Sequence, residues 1–176
     1  MSSAVKILPN YTYEDYLRWE GRWEVIDGIA YDMSPMASPK HQKIAVKLSI
    51  ILQNALDKND CGCQVYQPID LLITENTIVN PDLLIVCEEI SGQYYDKPPF
   101  LISEILSPSS RMKDTITKFD LYSKFGVKYY LIVDPDAESI TMNELVNGNY
   151  VVMDQPYELT MNEKCRTNPD FSQLFY

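Results

Sequence analysis

The chain has 176 residues, 45% hydrophobic and 23% charged, with a net charge of −10. This length suits a single domain over residues 1–176, and the apolar content requires a packed core, which excludes a disordered chain. No apolar run approaches the ~20 residues that cross a bilayer, and the acidic balance, taken alone, argues against a nucleic-acid partner.

The first stretch, "MSSAVKILPN", has no long apolar core and no small-residue cleavage site, so the expectation is a chain without an export signal. Asn10-Tyr11-Thr12 spells a glycosylation sequon, which has no force without export. "TYEDYLRWE" at 12–20 predicts a short helix, with Thr12 as N-cap and Asp15 three residues on. "WEVIDGIAYDM" at 23–33 predicts a hairpin around Asp27-Gly28. Ser38-Pro39 is an N-cap followed by proline at the first helical position. Behind it Ile44, Leu48, Ile51, Leu52 and Ala55 mark the apolar face of a helix of about five turns. Strands are predicted near 64–74, 82–87, 100–107, 129–133, 139–145 and 150–154, the last two joined by a turn at Asn147-Gly148. The order of helix, hairpin, long helix, strands, helix and strands predicts a mixed α/β fold of α+β type, a central mixed sheet flanked by helices.

Four cysteines, Cys61, Cys63, Cys87 and Cys165, show no zinc-ligand spacing and no evident framework. The expectation is a reducing, cytoplasmic setting, with Cys87 a small buried apolar residue at a strand end. Charge is unevenly spread. From Ser107 to Lys128 the chain carries five basic residues against Asp114 and Asp120, and Ser38 to Lys47 carries Lys40, Lys43, Lys47 and the single histidine, His41. These are either solvated helix faces or a basic mouth on an acidic body.

Two carboxylates stand where purely apolar strands are expected. Asp82 opens "DLLIVC", and Glu104 shares a strand face with Phe100, Ile102 and Leu106. An unpaired buried carboxylate costs several kcal/mol on the order of magnitude, so each requires a partner, a proton or a cation. On the following helix Lys118 heads an apolar row of Leu121, Tyr122 and Phe125, one turn after Asp114, with Gly126 ending the helix. The lysine therefore points at the sheet. Two carboxylates from adjacent strands with a converging ammonium suit a hard divalent cation and phosphodiester hydrolysis. A structural salt-bridge network is the competing explanation.

Pro81-Asp82, Glu104 in "SEILSPSS" and the ordered set "YTYEDYLRWE", "WEVIDGIAYDMSP", His41, "NPDLLIV" and "DTITKFDLYSKFGVKYYLIVDP" resemble the Uma-type endonuclease family within the PD-(D/E)xK, restriction endonuclease-like superfamily. The resemblance covers most of the chain. It implies a restriction endonuclease-like fold and a metal-dependent endonuclease acting on DNA, with magnesium, or manganese, held by Asp82 and Glu104. The superfamily pattern places lysine at position 106, where this chain has Leu106; Lys118 resembles the migrated lysine of the narrower family, which assists the attacking water. Glu24 matches the family's early glutamate and is either a further carboxylate of the site or an exposed hairpin residue. His41 either contacts phosphate and water or caps its helix. The resemblance also implies a homodimer, since related nucleases that cut both strands act in pairs. The alternative is a degenerate nuclease fold that serves as a nucleic-acid or protein-binding module, favoured by the acidity. A weaker one is an interaction protein with tyrosine-rich surfaces.

Overall fold

A computed structural model describes residues 8–33, 36–108, 110–162 and 165–176. Ser34, Pro35 and Ser109, which end or interrupt two of the quoted stretches, lie outside the described residues. Helix α1 (Tyr13–Tyr16) is held by a reciprocal cap in which Thr12 and Asp15 each bond the other's backbone N–H. Strands β1 (Trp23–Ile26) and β2 (Ile29–Asp32) form the expected hairpin. Its Asp27 and Gly28 both take positive φ, 50° and 76°, as a tight primed turn requires. A side chain on Gly28 would strike the Asn10 backbone at 2.7 Å.

Helix α2 (Pro39–Lys58) starts at the Ser38 cap and buries Ile44, Leu48, Leu52 and Leu56, with Ile51 and Ala55 half-buried beside them. The region 64–74, read as one strand, is two: β3 (Gln64–Tyr66) and β4 (Asp70–Thr74), which join different sheets. Pro68 lies between them and cannot donate to a ladder. Then follow β5 (Thr77–Val79), β6 (Leu83–Val86), β7 (Tyr94–Tyr95) and β8 (Leu101–Ile105). A π-helical turn (Lys113–Thr117) runs into α3 (Lys118–Phe125), which stops at Gly126 with φ 94°. The chain closes with β9 (Tyr129–Asp134), β10 (Ser139–Val146), β11 (Asn149–Val152), β12 (Leu159–Asn162) and β13 (Cys165–Thr167).

One sheet has the order β2-β1-β5-β4-β7, the other β11-β10-β9-β8-β6-β3, and β12-β13 form a ribbon. The second sheet is mixed, since β8 and β9 run parallel while its other pairs are antiparallel. Alternation sorts its side chains to two cores. Leu83, Ile85, Leu101 and Ile105 face α2 and the C-terminal ribbon. Leu84, Val86, Ile102 and Tyr130 face α3 and the smaller sheet. Asp82 and Glu104 have the parity of this second face, so both carboxylates lie on the α3 side.

The cysteines differ from expectation. Cys61 is disulfide-bonded to Cys165, Cα to Cα 5.0 Å, and Cys63 to Cys87, 3.9 Å. The first bond ties the end of α2 to the ribbon and the second joins β3 to β6. Cys87 is therefore a bonded, half-buried residue rather than a free apolar one, and the cysteines give no argument for a reducing compartment. The partners are 104 and 24 residues apart, so only tertiary structure reveals them. Among the described residues no helix is long and apolar enough to cross a membrane.

Candidate active site

The register of β6 and β8 sets Leu83 opposite Ser103, which brings Asp82, one residue earlier, level with Glu104. Asp82 ends the ladder with its side chain: Oδ2 accepts the Ile105 N–H at 2.7 Å, and His41 Nε2 lies 3.2 Å from the same oxygen. His41 reaches it from the first turn of α2, so it is a member of the site as well as a helix-start residue. Burial works to lower the His41 imidazole pKa, but the hydrogen bond and charge of Asp82 outweigh it and raise the value.

Glu104 Oε1 accepts two bonds of 2.8 Å, from Lys118 Nζ and from the Tyr122 hydroxyl. Lys118 and Tyr122 stand one turn apart on α3, which explains why both meet one carboxylate. Lys118 is 1% exposed and ringed by acids, with Glu24 at 2.7 Å, Glu104 at 2.8 Å and Asp114 at 3.4 Å. Burial alone would lower its pKa; Glu104 and Glu24 instead hold the ammonium well above the usual lysine value. Burial pushes the Glu104 carboxyl well above the usual carboxylate range, against the pull of Lys118 and with the push of Asp114, Asp82 and Glu24.

Glu24 is fully buried, not an exposed hairpin residue. β1 carries it over the site, where Oε1 accepts the Asn80 N–H at 3.0 Å and Oε2 pairs with Lys113. Burial opposes its ionisation, but Lys118 and Lys113 prevail and keep its pKa below the ordinary value. Lys113, Tyr122 and Asp114 are members that sequence reasoning left outside the site, and Asp114 is the further acid among them. Its Oδ1 is buried and accepts no hydrogen bond, and burial raises its pKa against the opposing effects of Lys118 and Ser110. The only sequence signal was its place one turn before Lys118. Arg111 grips Asp134 with bonds of 2.6 and 3.1 Å and fixes the start of the helical segment against β9.

His41, Asp82, Glu104, Lys113, Asp114 and Lys118 line a cleft of about 490 Å³, within the usual range for a small-molecule or substrate site, with Glu24 behind its wall. Glu24, Glu104 and Asp114 pair with the ammonium groups of Lys113 and Lys118, while Asp82 pairs with His41. Four carboxyl groups thus stand against two ammonium groups, and burial opposes the ionisation of Glu104 and Asp114. Among the described residues no three His, Cys, Asp or Glu side chains form an ion-holding group by themselves.

The sequence model of the Uma2 family, described as "Putative restriction endonuclease", matches residues 13–172. The chain belongs to the Uma2 family. An uncharacterized protein of Synechocystis sp. is 28% identical over 153 residues, covering 82% of this chain and 80% of that one. A crystal structure from Anabaena variabilis, titled as that of a "putative nuclease belonging to DUF820", superposes with a TM-score of 0.72 at 17% identity. That match covers 94% of this chain and 97% of the other. The fold is restriction endonuclease-like, as expected from the sequence. The Uma2 frame thus gives the buried acids a setting, a nuclease-type fold with its carboxylates on neighbouring strands of a mixed sheet.

Proposed function

We propose that this Uma2 protein is a metal-dependent endonuclease that hydrolyses phosphodiester bonds of DNA, with Asp82 and Glu104 holding magnesium or manganese. The observation that carries the reading is the placement of two carboxylates side by side at one cleft where carboxyl groups outnumber ammonium groups. The donor chemistry fits: all four acids offer hard oxygens, Asp114 Oδ1 is buried with no hydrogen bond beyond its 3.4 Å ion pair to Lys118, and a divalent ion would favour the ionised forms of Glu104 and Asp114 that burial opposes. Magnesium characteristically takes few carboxylates and keeps other ligands from water and substrate, so two protein oxygens suffice. The ion would supply Lewis-acid charge at a phosphoryl oxygen and make water a stronger acid.

The protein's own residues prepare that chemistry. The Ile105 N–H and His41 orient Asp82, while Tyr122 and Lys118 orient Glu104, so neither carboxylate must reorganise when substrate arrives. His41 faces the cleft from Asp82 and is the group placed to exchange a proton with it. Lys118, at the floor of the cleft, lends positive potential to a phosphate while holding Glu24 and Glu104 apart from it.

The test is nicking of supercoiled plasmid with magnesium, manganese or EDTA, by the wild type and by an Asp82→Asn, Glu104→Gln double variant. Cleavage by the wild type alone, and only with metal, supports the reading; cleavage by the folded double variant at the wild-type rate refutes it. A second reading, a nuclease-fold module that binds nucleic acid or protein without cutting, has the net charge of −10 in its favour. Retained DNA binding without any metal-dependent cleavage identifies it. A symmetric homodimer completes the main reading, since it would cut both strands; sedimentation showing only monomer at high concentration removes that part.

A further inference from the structure

The two lysines of the site are not equivalent. Lys118 is sealed beneath three carboxylates, whereas Lys113 is 16% exposed on the cleft wall and its ion pair among the described residues is with Glu24. Glu24 carries one negative charge and shares it between both ammonium groups, so Lys113 keeps part of its charge uncompensated. Its next contacts are weak acceptors, Met33 Sδ at 3.4 Å and the Tyr31 ring, 5.6 Å to its centroid, with the Asp114 carboxyl acting on it electrostatically. The other cleft-lining cations have partners nearer the surface, Lys40 with Asp136 and Arg22 with Asn80.

The backbone holds this arrangement in place. Lys113 and Lys118 are five residues apart, which on an α-helix would point them about 140° away from each other. The π-helical turn at Lys113–Thr117 is wider and brings both onto Glu24. One carboxylate, itself fully buried and pinned by the Asn80 N–H, thereby aims a half-compensated ammonium into the cleft.

We propose that Lys113 is the substrate-facing cation of this site, donating to a non-bridging oxygen of a nucleic-acid backbone phosphate while Glu24 holds it in place. An ammonium has three N–H groups, so it can keep Glu24 and take a phosphate oxygen in exchange for Met33 and the ring. Lys118 stays with its acids throughout. This assignment rests on the nuclease reading above and adds to it which residue meets the phosphodiester.

The experiment is fluorescence anisotropy of a short labelled DNA duplex, with calcium in place of magnesium, over a series of salt concentrations. Each phosphate contact contributes a slope of about 0.9 to log K against log[salt]. Lys113→Met should weaken binding roughly tenfold and reduce the slope by about one, and Lys113→Arg should restore both. Should Lys113→Met fail to fold, the charge-balanced Glu24→Gln, Lys113→Met double variant carries the same measurement with the same expected slope. A folded variant without Lys113 that binds with wild-type affinity and slope overturns the proposal. Wild-type protein that binds no DNA overturns the nuclease reading, and this assignment with it.

Discussion

Replacing Lys118 by methionine removes a charge while keeping an aliphatic stem among Tyr122, Glu104 and the neighbouring apolar residues. Three carboxylates then remain around an empty cationic position: Glu24 formerly at 2.7 Å, Glu104 at 2.8 Å and Asp114 at 3.4 Å. All three are buried, so water compensates them only poorly. Breaking a buried ion pair on one side costs about 3–5 kcal/mol, against a total stability of roughly 5–15 kcal/mol. For a domain of this size each kcal/mol lowers Tm by about 2–4 °C, so Lys118→Met should melt roughly 6–20 °C below the wild type at neutral pH. The pH dependence has a definite sign. Glu104 already has a folded-state pKa above its ordinary 4.5, and loss of Lys118 raises it further. An acid whose pKa is raised by folding costs stability only where it must ionise. The deficit is therefore full above the folded value and shrinks as pH falls towards the unfolded one. Adding Glu24→Gln should recover part of the loss by removing one orphaned charge. Circular-dichroism melts at neutral and mildly acidic pH measure all of this. A Lys118→Met protein that melts within about a degree of wild type at neutral pH would refute the claim that Lys118 compensates the buried acids.

The histidine and the cysteines give two further tests. In an NMR titration, His41 should show a pKa above 6.5 that falls in Asp82→Asn; the pair's stability is then full below the unfolded pKa and lost as pH rises through the folded one. A His41 value at or below 6.5 in the wild type would contradict the Asp82 contact. Cys165→Ser opens a link between residues 104 apart and should lower stability by about 2–5 kcal/mol in denaturant unfolding under oxidising conditions. Mass spectrometry finding four free thiols after non-reducing purification would argue against both pairings.

Local chemistry made much of this fold legible. Thr12-Asp15, Asp27-Gly28, Ser38-Pro39 and Asn147-Gly148 each state a cap or turn within a few residues, and each forms as read. The alternation of β8 and the spacing of Lys118 and Tyr122 likewise placed Glu104 and Lys118 on facing surfaces, because strand and helix periods are local properties. What stayed hidden depends on distant partners. Glu24 entered the candidate site only through the family match, with an exposed hairpin residue as the alternative, since nothing in "WEVIDG" itself reveals that Asn80 and two lysines close over it. The π-helical turn was invisible because its sequence reads as an ordinary helix start, and its effect lies in where Lys113 and Asp114 end up. The disulfides failed for the same reason: Cys61-Gly62-Cys63 shows no pairing until β6 and the C-terminal ribbon lie beside it.

Crystals soaked in manganese chloride test the central claim most directly, because anomalous scattering locates the ion independently of any activity. The account predicts a peak coordinated by the Asp82 and Glu104 carboxylates, with Lys118 still in contact with Glu104, and no such peak in the Asp82→Asn, Glu104→Gln variant. An ion bound elsewhere in the cleft with those two carboxylates unengaged, or an empty site at manganese concentrations that support DNA cleavage, would contradict it.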